Sequence, residues 1–144
     1  MDEKIIILGA NGLIGNGLTK YFSTKNIQLH AMVRSQKKKF CKNISYHYCN
    51  NLISKKSLIK IEKIITKVKP NYVINCIGIT KHIKNSNNKL LNIDLPKFLS
   101  AKVKKYNFKF IHITTDCVFD GKQGNYFEKS KTNANDKYGT SKAL

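Results

Sequence analysis

The 144-residue chain carries 27 Lys and Arg against 8 Asp and Glu, a formal net charge of +19, and 41% of its residues are hydrophobic. That length and apolar content suit one globular domain with a real core and are too small for two, and no apolar run reaches the roughly 20 residues of a membrane-spanning helix. The charge invites a nucleic-acid surface, but the lysines are scattered and Arg34 is the only arginine; specific readers cluster charge and use Arg for bidentate base contacts, so no specific nucleic-acid partner is expected.

The chain opens with Met-Asp-Glu-Lys and passes at once into an apolar run at residues 4–8, leaving no signal peptide, so a soluble, cytoplasmic protein without a membrane partner is expected. The run leads into Gly9-Ala10-Asn11-Gly12-Leu13-Ile14-Gly15, which reads as a buried strand, a tight glycine turn and a helix start. Three glycines spaced in this way let the backbone turn, let a phosphate approach, and let the helix pack closely on the strand, with the free N–H groups of the helix end facing the anion. Leu13, Ile14, Leu18, Tyr21 and Phe22 recur at helical spacing, residues 27–33 read as a strand ending at Arg34, and 37–39 as a charged loop. A more polar third strand is predicted over 44–49, then a helix over 54–69 stopped by Pro70. The near-continuous apolar run at 72–77 fits a central parallel strand covered on both faces. A helix over 88–105 and a fifth strand over 109–114 follow. This alternation of strand and helix means βαβ units and a doubly wound parallel α/β sheet.

Cys41, Cys49, Cys76 and Cys117 show no C-x-x-C spacing and read as buried reduced thiols. His30, His47, His82 and His112 fall on no ligand spacing, so no metal site is expected. Near the end stands Tyr138-Gly139-Thr140-Ser141-Lys142, a Y-x-x-x-K that places a proton donor and a cation four apart on one helical face, where the ammonium can lower the phenol's pKa. The helix that carries it has at most nine residues, 136–144, too few to be stable alone, and the pair is expected to fray.

Four segments in order, Gly9 to Gly15, Asn75-Cys76-Ile77-Gly78, Thr114-Thr115-Asp116-Cys117-Val118-Phe119-Asp120-Gly121 and Tyr138 to Lys142, resemble the extended short-chain dehydrogenase/reductases, and within them the dTDP-4-dehydrorhamnose reductase family. The resemblance implies a Rossmann-type NAD(P)-binding domain over residues 1–144, and an NADP-dependent reductase of a 4-keto nucleotide-diphosphate sugar in deoxysugar or surface-polysaccharide synthesis. Thr115 would hydrogen-bond the substrate carbonyl, Tyr138 would donate the proton and contact the cofactor, and Lys142 would depress the Tyr138 pKa and hold the cofactor ribose. Gly9, Asn11, Gly12, Leu13, Ile14 and Gly15 would cradle the pyrophosphate, and the backbone of Cys76, Ile77 and Gly78 would line the adenine or ribose side. Arg34 and Ser35 end the second strand where an acidic residue would select a ribose 2′-hydroxyl, so NADPH is expected over NADH. Where the family often has an aspartate after the third strand, this chain has Asn50 and Asn51, and Asn50 would meet the adenine amino group.

Family members are roughly twice this long, as expected of a cofactor domain joined to a substrate part. The resemblance therefore implies an N-terminal fragment, inactive alone, that associates with its own kind or with a polypeptide supplying the missing half. A nucleotide-sugar epimerase or dehydratase of the same superfamily, and a non-catalytic regulatory subunit, are the alternatives.

Overall fold

The computed structural model describes residues 3–35, 41–50, 54–79 and 89–144. Five strands, β1 (Lys4–Leu8), β2 (Gln28–Val33), β3 (Ser45–Tyr48), β4 (Tyr72–Asn75) and β5 (Lys109–His112), form one all-parallel sheet in the order β3-β2-β1-β4-β5. The order reverses beside β1, between β1 and β4, which makes their carboxyl ends the crevice where open α/β sheets take ligands. Leu8, Asn75 and His112 stand side by side in the register, so the loops after β1, β4 and β5 leave the sheet from one row.

Right-handed crossovers decide which face each helix covers. Helix α1 (Leu13–Phe22) joins β1 to β2 and lays Leu18 and Phe22 on Ile5, Ile7, Leu29, Ala31, Val33 and Ile74. Because the chain then crosses back past β1, α2 (Lys55–Val68) and α3 (Leu95–Tyr106) lie on the opposite face, where Ile61, Ile65, Leu95 and Leu99 meet Ile6, Leu8, Met32 and Val73. Each such side chain contributes about 1.5–3 kcal/mol when fully buried. Ser54 caps α2 by accepting the Ser57 N–H, and Lys69 closes it in the left-handed region at φ 50° just before Pro70. Glu62 ties α2 to α3 through Lys102 at 2.9 Å and the Tyr106 hydroxyl at 2.6 Å.

Several elements differ from the sequence reading. β4 ends at Asn75 rather than at 77, because the Asn75 Oδ1 accepts the Ile77 N–H at 3.1 Å and turns the chain out of the ladder. β5 likewise stops at His112, after which Ile113 makes one last bond to the Asn75 carbonyl. Of the helix expected over 88–105, residue 88 lies outside the described residues, and the chain enters α3 through a π-helical turn, Leu90–Asp94. All four cysteines are free, but Cys49 alone is buried and the other three are partly exposed. Residues 37–39, Asn51 and His82 lie outside the described residues. Among the described residues no helix is long and apolar enough to cross a membrane.

Candidate active site

Gly9 follows β1 at φ +75°, and its carbonyl accepts the Gly12 N–H at 2.9 Å, closing the turn. A Cβ on Gly9 would lie 2.9 Å from Ile77 Cγ1, and one on Gly15 would run into the Gly9 carbonyl oxygen and sit 3.0 Å from Ala10 Cα. The glycine spacing therefore serves close packing of α1 on the end of β1 as much as any ligand. Gly12 opens α1 with no side-chain cap, so the first turn presents uncapped backbone N–H groups at the positive end of the helix dipole. Asn11, Gly12 and Ile14 are exposed there, and Leu13 is 95% exposed. The Ala10 N–H bonds the Met32 carbonyl at 3.0 Å and the Cys49 N–H bonds the Val33 carbonyl at 2.9 Å, which gathers the ends of β1, β2 and β3. Arg34, Ser35 and Asn50 follow those ends and are exposed. On the β4 side Gly78 is exposed, Ile77 packs into the core, and burial pushes the Cys76 thiol up.

Thr115 follows β5 and caps a 3₁₀ turn, Asp116–Val118, its Oγ1 accepting the Cys117 N–H and donating to Asp116 Oδ1, both at 3.3 Å. The rest of the T-T-D-C-V-F-D-G stretch folds the chain back. Phe119 stacks on Tyr126 with ring centroids 4.2 Å apart, Tyr126 donates to Asp120 at 2.9 Å, and the Val118 carbonyl accepts from both Asn133 and Ala134. This return delivers α4 (Lys137–Ala143) onto the turn that carries Thr115. Asp136 caps α4 by accepting the Gly139 N–H at 2.9 Å. Gly139 is buried so tightly that a Cβ there would collide with the Cys117 carbonyl oxygen and lie 2.6 Å from Ala134 Cβ. Ser141, also buried, donates to the Tyr138 carbonyl at 2.7 Å and accepts from Asn92 at 2.9 Å. Asn92, in the π-helical turn, in turn bonds both the N–H and the carbonyl of Ile79. The short helix is thus anchored by tertiary contacts at every turn rather than left to its own propensity.

Tyr138 and Lys142 lie one turn apart on α4, and both are partly exposed. Lys142 Nζ donates to the Ile113 carbonyl at 2.7 Å and lies 3.4 Å from His112 Nε2, while His112 Nδ1 is 3.1 Å from Asn75 Nδ2. Burial holds the Lys142 ammonium below the ordinary lysine range. Burial and then the Lys142 charge hold His112 low, against an opposing hydrogen bond that the ring donates to the Asn75 backbone carbonyl. Every sequence-derived site residue stands at this one edge. Asn75, Asn92, His112, Gly139 and Ser141 were missed by the sequence reading, although a glycine inside a predicted helix is itself a signal of close packing. Among the described residues no group of three or more His, Cys, Asp or Glu side chains could hold a metal ion.

The family model that matches residues 3–144 is described as the RmlD substrate binding domain. The chain belongs to this family. No curated protein matches it significantly. Among solved structures it resembles a hypothetical dTDP-4-dehydrorhamnose reductase from Sulfolobus tokodaii, with 24% identity and a TM-score of 0.79 over 96% of this chain and 49% of that one. It also resembles the dTDP-4-dehydrorhamnose reductase of Bacillus anthracis in complex with NADP, at 21% identity and a TM-score of 0.75, covering 99% of this chain and 47% of that one. A third is the Bordetella bronchiseptica enzyme WbmG in complex with NAD and UDP, at 15% identity and a TM-score of 0.82, covering 99% and 47%. The chain spans about half the length of each.

Proposed function

We propose that this RmlD-family chain is the cofactor-binding and proton-donating part of an NADP-dependent reductase acting on a 4-keto nucleotide-diphosphate sugar. The observation that carries the reading is the seating of α4 on the Thr115 turn, which brings an alcohol, a phenol and a lysine to the carboxyl edge of a sheet whose switch point lies beside them. The uncapped start of α1 and the exposed, Cβ-free Gly12, where a side chain would crowd the Gly9 carbonyl oxygen at 3.3 Å, suit a pyrophosphate, and exposed Arg34 suits a 2′-phosphate. Gly78 leaves the approach to Lys142 clear: a Cβ there would lie 3.8 Å from its Nζ. A reduced nicotinamide, when bound, would supply the hydride. Thr115 would hydrogen-bond the substrate carbonyl oxygen, Tyr138 would donate its phenolic proton to it, and Lys142 would hold the ribose hydroxyls and bias the phenol toward release. The net charge of +19 would draw in both phosphorylated ligands. The sugar would be chosen by polypeptide equivalent to the half of the relatives that this chain does not match.

NADPH oxidation with a panel of 4-keto nucleotide sugars tests the reading in the full-length gene product. General-acid catalysis contributes about 10²- to 10⁴-fold, so Tyr138→Phe should lower kcat by that factor and leave the cofactor Kd unchanged. Turnover indifferent to Tyr138→Phe would remove the phenol from the mechanism.

A further inference from the structure

The lysines are scattered along the sequence, but folding gathers some of them. Helix α1 carries one lysine in 10 residues, whereas α2 carries five in 14. Lys56, Lys60, Lys63 and Lys67 follow one another at spacings of four, three and four, all exposed, and so form a stripe roughly 16 Å long down one flank of α2. Glu62, the only acid of this helix, faces α3, where Lys102, Lys105 and the Tyr106 hydroxyl share its Oε1. The stripe faces the other way, toward β3, where the charges of Lys67 and Lys60 act on His47. Among the described residues no carboxylate forms an ion pair with it. Like charges three and four apart weaken a helix, and this one keeps three such neighbours in a row with no counter-ion.

We propose that the β3-side flank of α2 is a sequence-independent nucleic-acid surface, on which Lys56, Lys60, Lys63 and Lys67 contact the phosphates of a duplex. Phosphate contacts carry no sequence information and need a point charge, not the guanidinium fork that reads bases, so they suit a chain with a single arginine. Interfaces with nucleic acid are far more positive than those between proteins, from which lysine is depleted. A helix that lies on a membrane sinks its apolar face into it. In α2 that face, with Ile61 and Ile65, is already packed on the sheet. Single-strand sites add aromatic rings on which bases stack, and the large apolar side chain that α2 exposes is Ile59. A duplex backbone is the polyanion that asks for a row of charges and nothing more. The surface does not rest on the reductase reading.

Fluorescence anisotropy of a labelled, mixed-sequence DNA duplex, titrated with the full-length gene product over a series of salt concentrations, tests the proposal. Each phosphate contact contributes about 0.9 to the slope of log K against log salt. The combined variant Lys56→Gln, Lys60→Gln, Lys63→Gln and Lys67→Gln should therefore flatten that slope by about 3 to 4, with circular dichroism checking that it folds. A control removes the same charge from exposed positions elsewhere, Lys20→Gln, Lys122→Gln, Lys129→Gln and Lys131→Gln, and should flatten the slope by less than the share of one contact. Equal flattening in the two variants would show that net charge alone draws the duplex, and overturns the proposal. So does absence of binding to the wild type at about 0.15 M salt, or a tighter hold on phosphatidylserine vesicles or polyglutamate than on the duplex.

Discussion

Gly139 and Gly17 both lie inside helices, and the structure assigns opposite outcomes to the same substitution. At exposed Gly17 in α1 a Cβ would have nothing within 4 Å, so Gly17→Ala should stabilise by about 0.5–1 kcal/mol through helix propensity. At Gly139 the added carbon meets Cys117 and Ala134. Neither gives way easily, because Cys117 lies in the turn capped by Thr115 and Ala134 is bonded to the Val118 carbonyl at 3.0 Å. Propensity acts alike in both variants, so their difference isolates the overpacking cost, about 1–3 kcal/mol. At roughly 3 °C per kcal/mol for a domain of this size, the melting temperatures should differ by roughly 3–9 °C, with Gly139→Ala the lower. Thermal unfolding followed by circular dichroism, beside urea midpoints, measures this directly. Equal stabilisation by the two alanines would mean that α4 does not dock on the Thr115 turn as described, and the site geometry would fall with it.

Removing the charge-assisted contact proposed for Arg34 should cost about 1.5–3 kcal/mol, so Arg34→Ala should weaken NADPH roughly ten- to a hundredfold and leave NADH nearly unchanged; equal wild-type affinities for the two cofactors would remove the basis for choosing NADPH. His30 and His47, 3.0 Å apart across β2 and β3, are both held below the ordinary value of 6.5, first by burial. The unfolded chain therefore binds more protons than the folded one between the ordinary and the depressed values, so stability should fall as pH drops through 6.5 and level off below the depressed values. Urea midpoints across that range should decline in the wild type and decline less in His47→Gln, and a flat wild-type profile would contradict the pairing.

The sheet was legible because its strands announce themselves by composition: Lys4–Leu8 came out residue for residue, and α2 matched to within its two flanking caps. What the sequence could not show is where a strand stops when its own side chain ends it. Asn75 looks like one more polar residue after an apolar run, yet its amide turns the chain and lies 3.1 Å from the ring of the histidine beside Lys142. Asn92 was equally silent, since the bonds that make it matter, to Ile79 and Ser141, cross 13 and 49 residues of chain. Periodicity reports the neighbours of a residue along one element, and these contacts join five segments. Tyr138 and Lys142 drew attention for another reason: they stand four apart on one helix, and the roles expected of them and of Thr115 came from the resemblance.

The choice of amides around Lys142 follows from what a carboxylate would do there. An aspartate at position 75 or 92 could still accept the Ile77 or Ile79 N–H, so the backbone turns alone do not require asparagine. A carboxylate near a half-buried ammonium would stabilise its charged form and pull its pKa up, opposing the burial that holds it down. It would also have nothing to donate to Ser141 Oγ, which accepts from the Asn92 amide. In a chain with 27 cationic side chains, a lysine that is only a cation could stand almost anywhere. The one that donates to the Ile113 carbonyl is half-buried beside neutral groups, and burial pulls its pKa below the ordinary lysine range.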